Sequence, residues 1–295
     1  GLGDVDKRPD RFHRDGLWSR PAEHLKEIAL SRNETTTDMV YKPVTASLRV
    51  LEVLEALNAI GPAGLTAVHK RTGIPKATTL RMLETLRASG FASYDAHNKE
   101  FAVGLRALAL SSGYNAEDEI VMHARPVMAD LRADLGWPSD IVVCTDDRLV
   151  IADTNARDAI FSVIRRRGAG SQLPFTISAT GRAWLAFCDE AMRKRILRFE
   201  NPHPEESRDL MDNRDRLDAI IGETRRRGYG LQSGEFFDSE AGAGVPVFVG
   251  GQLRCCLNII VARNAVPREQ IEARYVPQLQ EAARPLASKA GAGPR

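Results

Sequence analysis

Lys76, Ala77, Thr78, Leu80 and Arg81 follow the turn Thr72-Gly73-Ile74-Pro75 within one short stretch of this 295-residue chain. On a helix, Thr79, Met82, Leu83 and Leu86 fall on one side at helical spacing, leaving the first set on other faces. Those residue types can read a DNA major groove. The Arg81 fork matches the O6 and N7 acceptors of guanine, Thr78 can reach a base or a phosphate, and Ala77 or Leu80 can touch a thymine methyl. Lys76, at the helix start, suits a phosphate. Taken singly, an Arg or Lys on a helix is usually a solvated surface residue; the surrounding elements give these residues a further meaning.

Those elements follow from periodicity and turn residues. Val44, Leu48, Val50, Leu51, Leu54 and Leu57 recur at three-and-four spacing, predicting a helix that Gly61-Pro62-Ala63-Gly64 stops. A second helix is expected from Thr66, as N-cap, to Arg71; after the turn at Gly73 a third runs to about Ser89, with Pro75 in its first turn. Phe91–Tyr94 and Phe101–Val103 read as strands around the turn residues Asp95 to Lys99, a hairpin wing with Lys99 at its tip for a phosphate. Two helices joined by a tight glycine turn, followed by a hairpin, make a winged helix-turn-helix, whose second helix enters the major groove.

Charge agrees with a local DNA contact. The whole chain carries only +2, but residues 40–112 hold nine Lys and Arg against five acids, or +4, which leaves −2 elsewhere. So small a net charge argues against DNA binding through bulk charge, and any DNA contact is expected to be a local basic patch.

Residues 1–39 are polar and read as a disordered arm or extension, residues 40–104 as the winged helix-turn-helix, and 105–115 as a linker helix, with the boundary near Gly113. Residues 116–290 form a second domain and 291–295 a tail. The second domain opens on a helix from about Glu117 to Leu135. Strands are expected at Ile141–Thr145, Leu149–Asp153, Ile160–Ile164, Gly244–Val249 and Leu253–Ala262. Helices are expected at Thr176–Phe187, Glu190–Phe199, Arg214–Arg227 and Pro267–Ser288, and the fold class is α+β. A small-molecule site needs an apolar cavity with a few convergent polar groups. The loop Gly168–Leu173 offers backbone amides at Gly170 with Ser171 and Gln172, where a carboxylate could dock. Arg165-Arg166-Arg167 cannot all point inward from one strand and read mainly as a solvated run. Asn258 interrupts an apolar strand; it is either a ligand contact or a buried amide bonded to backbone.

Motifs of enzymes are missing: there is no G-x-S-x-G, H-E-x-x-H or P-loop. No cofactor or metal is called for. The four cysteines lack zinc-finger spacing and sit in apolar stretches, which suits buried thiols in a reducing cytoplasm. No apolar run is long enough to span a membrane.

The string from Leu65 to Leu86, continuing through Gly90-Phe91, resembles the IclR-family winged helix, and Ser178-Ala179-Thr180-Gly181-Arg182-Ala183-Trp184-Leu185-Ala186 resembles that family's effector-domain helix. With Gly228-Tyr229 and Gly244-Val245-Pro246-Val247, the resemblance covers residues 44–288. It implies operator reading by Lys76, Ala77, Thr78 and Arg81, and a GAF-like effector domain holding a small organic molecule, usually a carboxylate. It places Ser178 beside the effector, turns Asn258 toward it, and puts Ser239 in a bordering loop. The strings Gly181–Cys188 and Cys256–Ile260 look nearest to regulators of aromatic-acid catabolism of the hydroxyphenylpropionate type. His69 and Thr79-Leu80 depart from the family pattern, so base preference does not carry over.

The expected partners are double-stranded operator DNA, a small effector such as an aromatic or other organic acid, and a second copy in a homodimer or tetramer, with RNA polymerase added for an activator. Dimerisation is expected through Val44–Leu57 and Leu105–Leu110, whose apolar surface exceeds what a three-helix module can bury. The alternatives are a small-molecule-binding protein whose winged helix meets another protein, and an enzyme.

Overall fold

The computed structural model describes residues 43–111, 119–161, 168–199 and 205–289. The first domain holds α1 (Thr45–Ile60), α2 (Leu65–Thr72), α3 (Lys76–Ala88) and the hairpin β1 (Ala92–Asp95) with β2 (Glu100–Val103). Its core is one cluster in which Val53 and Leu57 of α1 meet Val68 of α2, Leu83 and Leu86 of α3, and Phe101 of the hairpin. Gly61, at φ 76°, ends α1 in a backbone conformation that a side chain would strain. Helix α2 begins one residue before the expected cap: Ala63 is held to Phe101 by two backbone bonds of 2.9 Å, and Gly64, rather than Thr66, becomes the N-cap. The expected linker helix is a 3-10 helix over Leu105–Ser111, and the boundary near Gly113 and the arm 1–39 lie outside the described residues.

The second domain follows with α4 (Glu119–Leu135), β3 (Asp140–Thr145), β4 (Arg148–Thr154), β5 (Gln172–Leu173), α5 (Ala179–Phe187), α6 (Glu190–Phe199), α7 (Glu205–Asp212) and α8 (Arg214–Arg227). It closes with β6 (Gly230–Ser233), β7 (Glu240–Val249), β8 (Gln252–Ala262), α9 (Arg268–Gln270), a π-helical turn at Ile271–Tyr275, and α10 (Val276–Lys289). Six strands form one antiparallel sheet in the order β5-β4-β3-β8-β7-β6.

Strand alternation sends the two faces to different partners. Val245, Leu257 and Ile259 pack against Met128 and Leu131 of α4 and Leu279 and Leu286 of α10. On the other face, Val142, Ile151 and Cys256 pack against Trp184 and Leu185 of α5, Ile196 of α6, and Leu217 and Ile221 of α8. The architecture is α+β, as the mixed pattern of strands and helices requires.

Helix α7 and strand β6 were not expected from the sequence, and β7 starts at Glu240 rather than Gly244. The expected strand at Ile160–Ile164 is not one in its described part: Ile160 and Phe161 lie in a bend, where the Phe161 N–H donates to Gly136 O at 2.9 Å and its ring meets Trp137 at 4.8 Å. The rest of that segment and Arg165–Arg167 lie outside the described residues. Three cysteines are buried, but Cys144 is only half-buried; burial still pushes its thiol up to about 12 and that of Cys188 to about 11, leaving both poor nucleophiles at neutral pH.

Candidate DNA-reading face and effector cavity

The geometry of α3 is fixed by a polar turn. Gly73 adopts the left-handed conformation (φ 65°) and its N–H donates to His69 O at 2.9 Å. The Ile74 carbonyl then accepts from two sides: from His69 Nδ1 at 2.6 Å and from Thr79 Oγ1 at 3.0 Å. Thr72 Oγ1 donates to Val68 O at 3.0 Å and accepts from the Ile74 N–H at 3.3 Å. Through the shared Ile74 carbonyl, His69 of α2 and Thr79 of α3 are held to the same turn, so the angle between the two helices is set by hydrogen bonds as well as by Ile74 packing in the core.

Beyond that turn α3 has two faces. Thr79, Met82, Leu83 and Leu86 are buried; Lys76, Ala77, Leu80 and Arg81 are exposed and Thr78 is half-buried. An exposed Leu beside an Arg and a Lys at a helix N-terminal half is the chemistry of base-edge and phosphate contact. Lys99 sits at the wing tip with φ 56°, held up by a turn in which the Asp95 carboxylate accepts from the His97 N–H at 2.8 Å, the Asn98 N–H at 3.3 Å and Asn98 Nδ2 at 2.7 Å. These bonds, led by His97, keep the Asp95 carboxyl below the ordinary carboxylate range. Tyr94 and Phe101, opposite each other in this hairpin, bring their rings together at a tilt with centroids 4.7 Å apart.

In the second domain a small, half-open cavity of about 30 Å³ lies where the first turn of α5 meets the sheet. Asp140 of β3, Gln232 of β6, Glu240 and Gly242 of β7, and Asn258 and Ile260 of β8 form its floor and sides; Ser178, Ala179 and Thr180 bring the N-terminus of α5 to it, and Leu173 and Phe236 add apolar wall. Glycine makes this approach possible: a Cβ on Gly244 would stand 2.9 Å from Thr180 N, so only a bare backbone lets α5 come this close to β7. Ser178 caps α5, accepting from the Gly181 N–H at 3.0 Å and donating to Pro174 O at 2.6 Å. Arg182 locks the helix from behind, with Nε bonded to Thr176 O at 2.8 Å and a terminal nitrogen to Glu235 Oε1 at 2.9 Å. Burial works against the Glu235 carboxylate, but Arg182 and the Ser233 N–H outweigh it and hold the group below its ordinary range.

Of the expected effector residues, Ser178 and Asn258 line this cavity. Both are engaged: Ser178 as the cap, and Asn258 through a two-bond tie to Asp140, with Oδ1 accepting from the Asp140 N–H at 2.7 Å and Nδ2 donating to Asp140 Oδ2 at 3.0 Å. Gly170, Ser171, Gln172 and Ser239 are not in its lining. Ser171 Oγ instead accepts from the Gly168 N–H at 3.1 Å, Gln172 belongs to the edge strand β5, and the carbonyl of Ser239 accepts from the Arg263 N–H at 2.9 Å. Asp140, Thr180, Gln232 and Glu240 are cavity residues that sequence reasoning missed; nothing local marks them, since the fold assembles them from four separate strands and helices. Among the described residues, no group of three or more His, Cys, Asp or Glu could hold a metal ion, and no helix is long and apolar enough to cross a membrane.

A winged helix-turn-helix joined to an α+β domain with a partly polar cavity defines a one-component regulator class, in which one chain carries both the DNA reader and the ligand sensor. Comparison with known proteins makes this specific. Residues 48–96 match the IclR helix-turn-helix domain and residues 112–288 match the bacterial transcriptional regulator IclR C-terminal domain, so the chain belongs to the IclR family of transcriptional regulators. It is 27% identical over 219 residues to the probable transcriptional regulator SauR of Cupriavidus necator (73% of this chain, 84% of that one). It is 24% identical over 219 residues to the transcriptional repressor IclR of Escherichia coli (73% and 77%). Among solved structures it resembles an IclR-family regulator from Brucella abortus (TM-score 0.62, 26% identity, 90% and 98% coverage). It also shares the fold of an IclR homologue from Microbacterium hydrocarbonoxydans, a protein crystallised with 4-hydroxybenzoate (TM-score 0.58, 19% identity, 83% and 99% coverage). Members of this family are DNA-binding regulators and not enzymes.

Proposed function

We propose that α3 reads operator DNA through Lys76, Ala77, Thr78, Leu80 and Arg81, with Lys99 of the wing on the phosphate backbone, and that a small organic molecule in the α5 cavity controls that reading. The observation that carries the DNA half is the division of α3 into a buried face and an exposed face bearing Arg81, set on a hydrogen-bonded turn. For the effector half it is a cavity whose wall includes the first turn of α5, where helix N–H groups and the dipole favour a carboxylate. An aromatic acid is the expected ligand class: Phe236, Leu173 and Ile259 offer apolar wall for a ring.

A second copy completes the reader. Leu51 of α1 and Leu105, Leu108 and Leu110 of the 3-10 helix are all exposed, Leu105 at 83%, on the elements from which dimerisation is expected. A homodimer through this surface would present two α3 helices to two half-sites, and further pairing would give a tetramer. Such a regulator works in the cytoplasm, and one that activates would also touch RNA polymerase. Fluorescence anisotropy on promoter DNA, with and without small aromatic acids, tests the reading: specific binding that a ligand changes supports it, and binding indistinguishable from that to random DNA overturns it.

A further inference from the structure

Past the wing, the chain is clamped back onto the end of the recognition helix. The Gly104 N–H donates to Phe91 O at 2.8 Å, and a Cβ on Gly104 would stand 2.3 Å from Gly90 O, so only a bare backbone lies this close to the corner that follows α3. Two residues on, in the 3-10 helix, Arg106 Nη1 donates to the carbonyl of Ser89, the C-cap of α3, at 2.7 Å, and its guanidinium carbon lies 5.1 Å from the centre of the Phe91 ring. A cation at the negative end of a helix and over an aromatic ring is favoured on both counts. Neither the DNA-reading face nor the domain core uses this side chain: Arg106 is exposed, and α3 packs through Met82, Leu83 and Leu86. Its two contacts instead fix the 3-10 helix, with the exposed Leu105, Leu108 and Leu110, to the C-terminal end of α3.

Resting on the dimer reading above, we propose that Arg106 is a positioning residue that sets the separation of the two half-sites the dimer accepts. In a dimer joined through those leucines, each α3 stands from the seam at a distance and an angle that the Gly104–Arg106 clamp holds. One base pair added between the half-sites moves the second by about 3.4 Å and turns it by about 35° around the DNA axis. A rigid clamp cannot follow that displacement. A loosened one can, because the 3-10 helix then pivots at Gly104 while the reading face of α3 is unchanged. Arg106 thus selects operators by their spacing, through α3, without touching a base.

The test compares the full chain with Arg106→Ala and with Phe91→Leu, which removes the ring under the guanidinium but keeps an apolar side chain. Fluorescence anisotropy is measured on the site footprinted upstream of the chain's own gene and on duplexes with one or two base pairs inserted or deleted between its half-sites, and sedimentation gives the oligomeric state of each protein. We expect the parent dimer to lose at least about tenfold in affinity when the spacing changes, within the range that one mismatched base pair costs, and both variants, still dimeric, to lose about threefold or less. Base choice within each half-site should stay the same. A dimeric parent that binds every spacing alike would overturn the positioning role while the dimer reading stands. So would either variant if it kept the parent's spacing selectivity, lost affinity equally at every spacing, or dissociated to monomers. A monomeric parent overturns both.

Discussion

His69 Nδ1 donates to the carbonyl of Ile74 at 2.6 Å, joining the last turn of the first helix of the helix-turn-helix to the residue that precedes the N-cap of the second. This bond requires the Nδ1–H form of the ring and places an unusual polar strut at the turn that aims α3. His69 is in this sense a positioning residue, without contact to a base being needed. His69→Ala should weaken specific operator binding by about 1 kcal/mol, the net worth of one hydrogen bond, while binding to random DNA, which depends on phosphate charge, stays the same. Anisotropy titrations on specific and random duplexes check this; equal losses on both would assign His69 to bulk affinity.

Arg81→Ala should weaken operator binding by about 1–3 kcal/mol and relax base preference at one position of each half-site, as loss of a bidentate contact does. Binding selection from randomised sites, done with both proteins, reads out the position. Unchanged selectivity would remove Arg81 from the reading surface.

Neutralising Lys76 or Lys99 should instead lower affinity evenly across sequences and reduce the salt slope by about one unit, because each phosphate contact releases one counterion. A loss confined to particular sequences would contradict the phosphate assignment.

Asn258→Leu should lower the thermal midpoint of the second domain. It breaks both bonds to Asp140 and leaves a buried carboxylate and a backbone N–H short of partners, a cost of about 1–3 kcal/mol or more. A midpoint equal to that of the parent chain would show that the tie is dispensable.

Glu52 on α1 gives a pH-dependent prediction. Burial first, then the neighbouring Glu55 carboxylate, push its pKa up from 4.5 to about 7 against the opposing pull of Arg49, and both of its oxygens are buried without a hydrogen-bond partner. A carboxyl whose pKa is raised on folding favours the folded state while protonated; that contribution is whole below about pH 4.5, declines as pH rises, and is gone above about 7. Glu52→Gln should therefore raise the thermal midpoint at pH 8 and lose its advantage by pH 4. The same gain at both pH values would rule out titration of Glu52 as the cause.

What could be read from sequence followed interaction range. The buried face of α3 (Thr79, Met82, Leu83, Leu86) came from helical spacing alone, and Gly73 as the left-handed turn residue from a local backbone demand. Thr66 was misread as a cap because the pairing of Ala63 with Phe101, thirty-eight positions along, decides where α2 begins. The cavity was the least legible part. Asp140 and Asn258 stand 118 positions apart and Thr180 meets Gly244 only once α5 lies on the sheet, so no window of sequence contains the site. Loop chemistry suggested Gly170, Ser171 and Gln172 for the ligand, but Gln172 and Leu173 pair with β4 as an edge strand, and only Leu173 reaches the cavity wall.

Footprinting of the full-length chain on the DNA upstream of its own gene tests the central claim most directly. The account predicts protection of an approximate palindrome, two half-sites about one helical turn or a multiple of it apart, lost when Arg81 is replaced by Ala. Uniform protection no stronger than on random DNA, or a single unsymmetrical half-site held by a monomer, would contradict it.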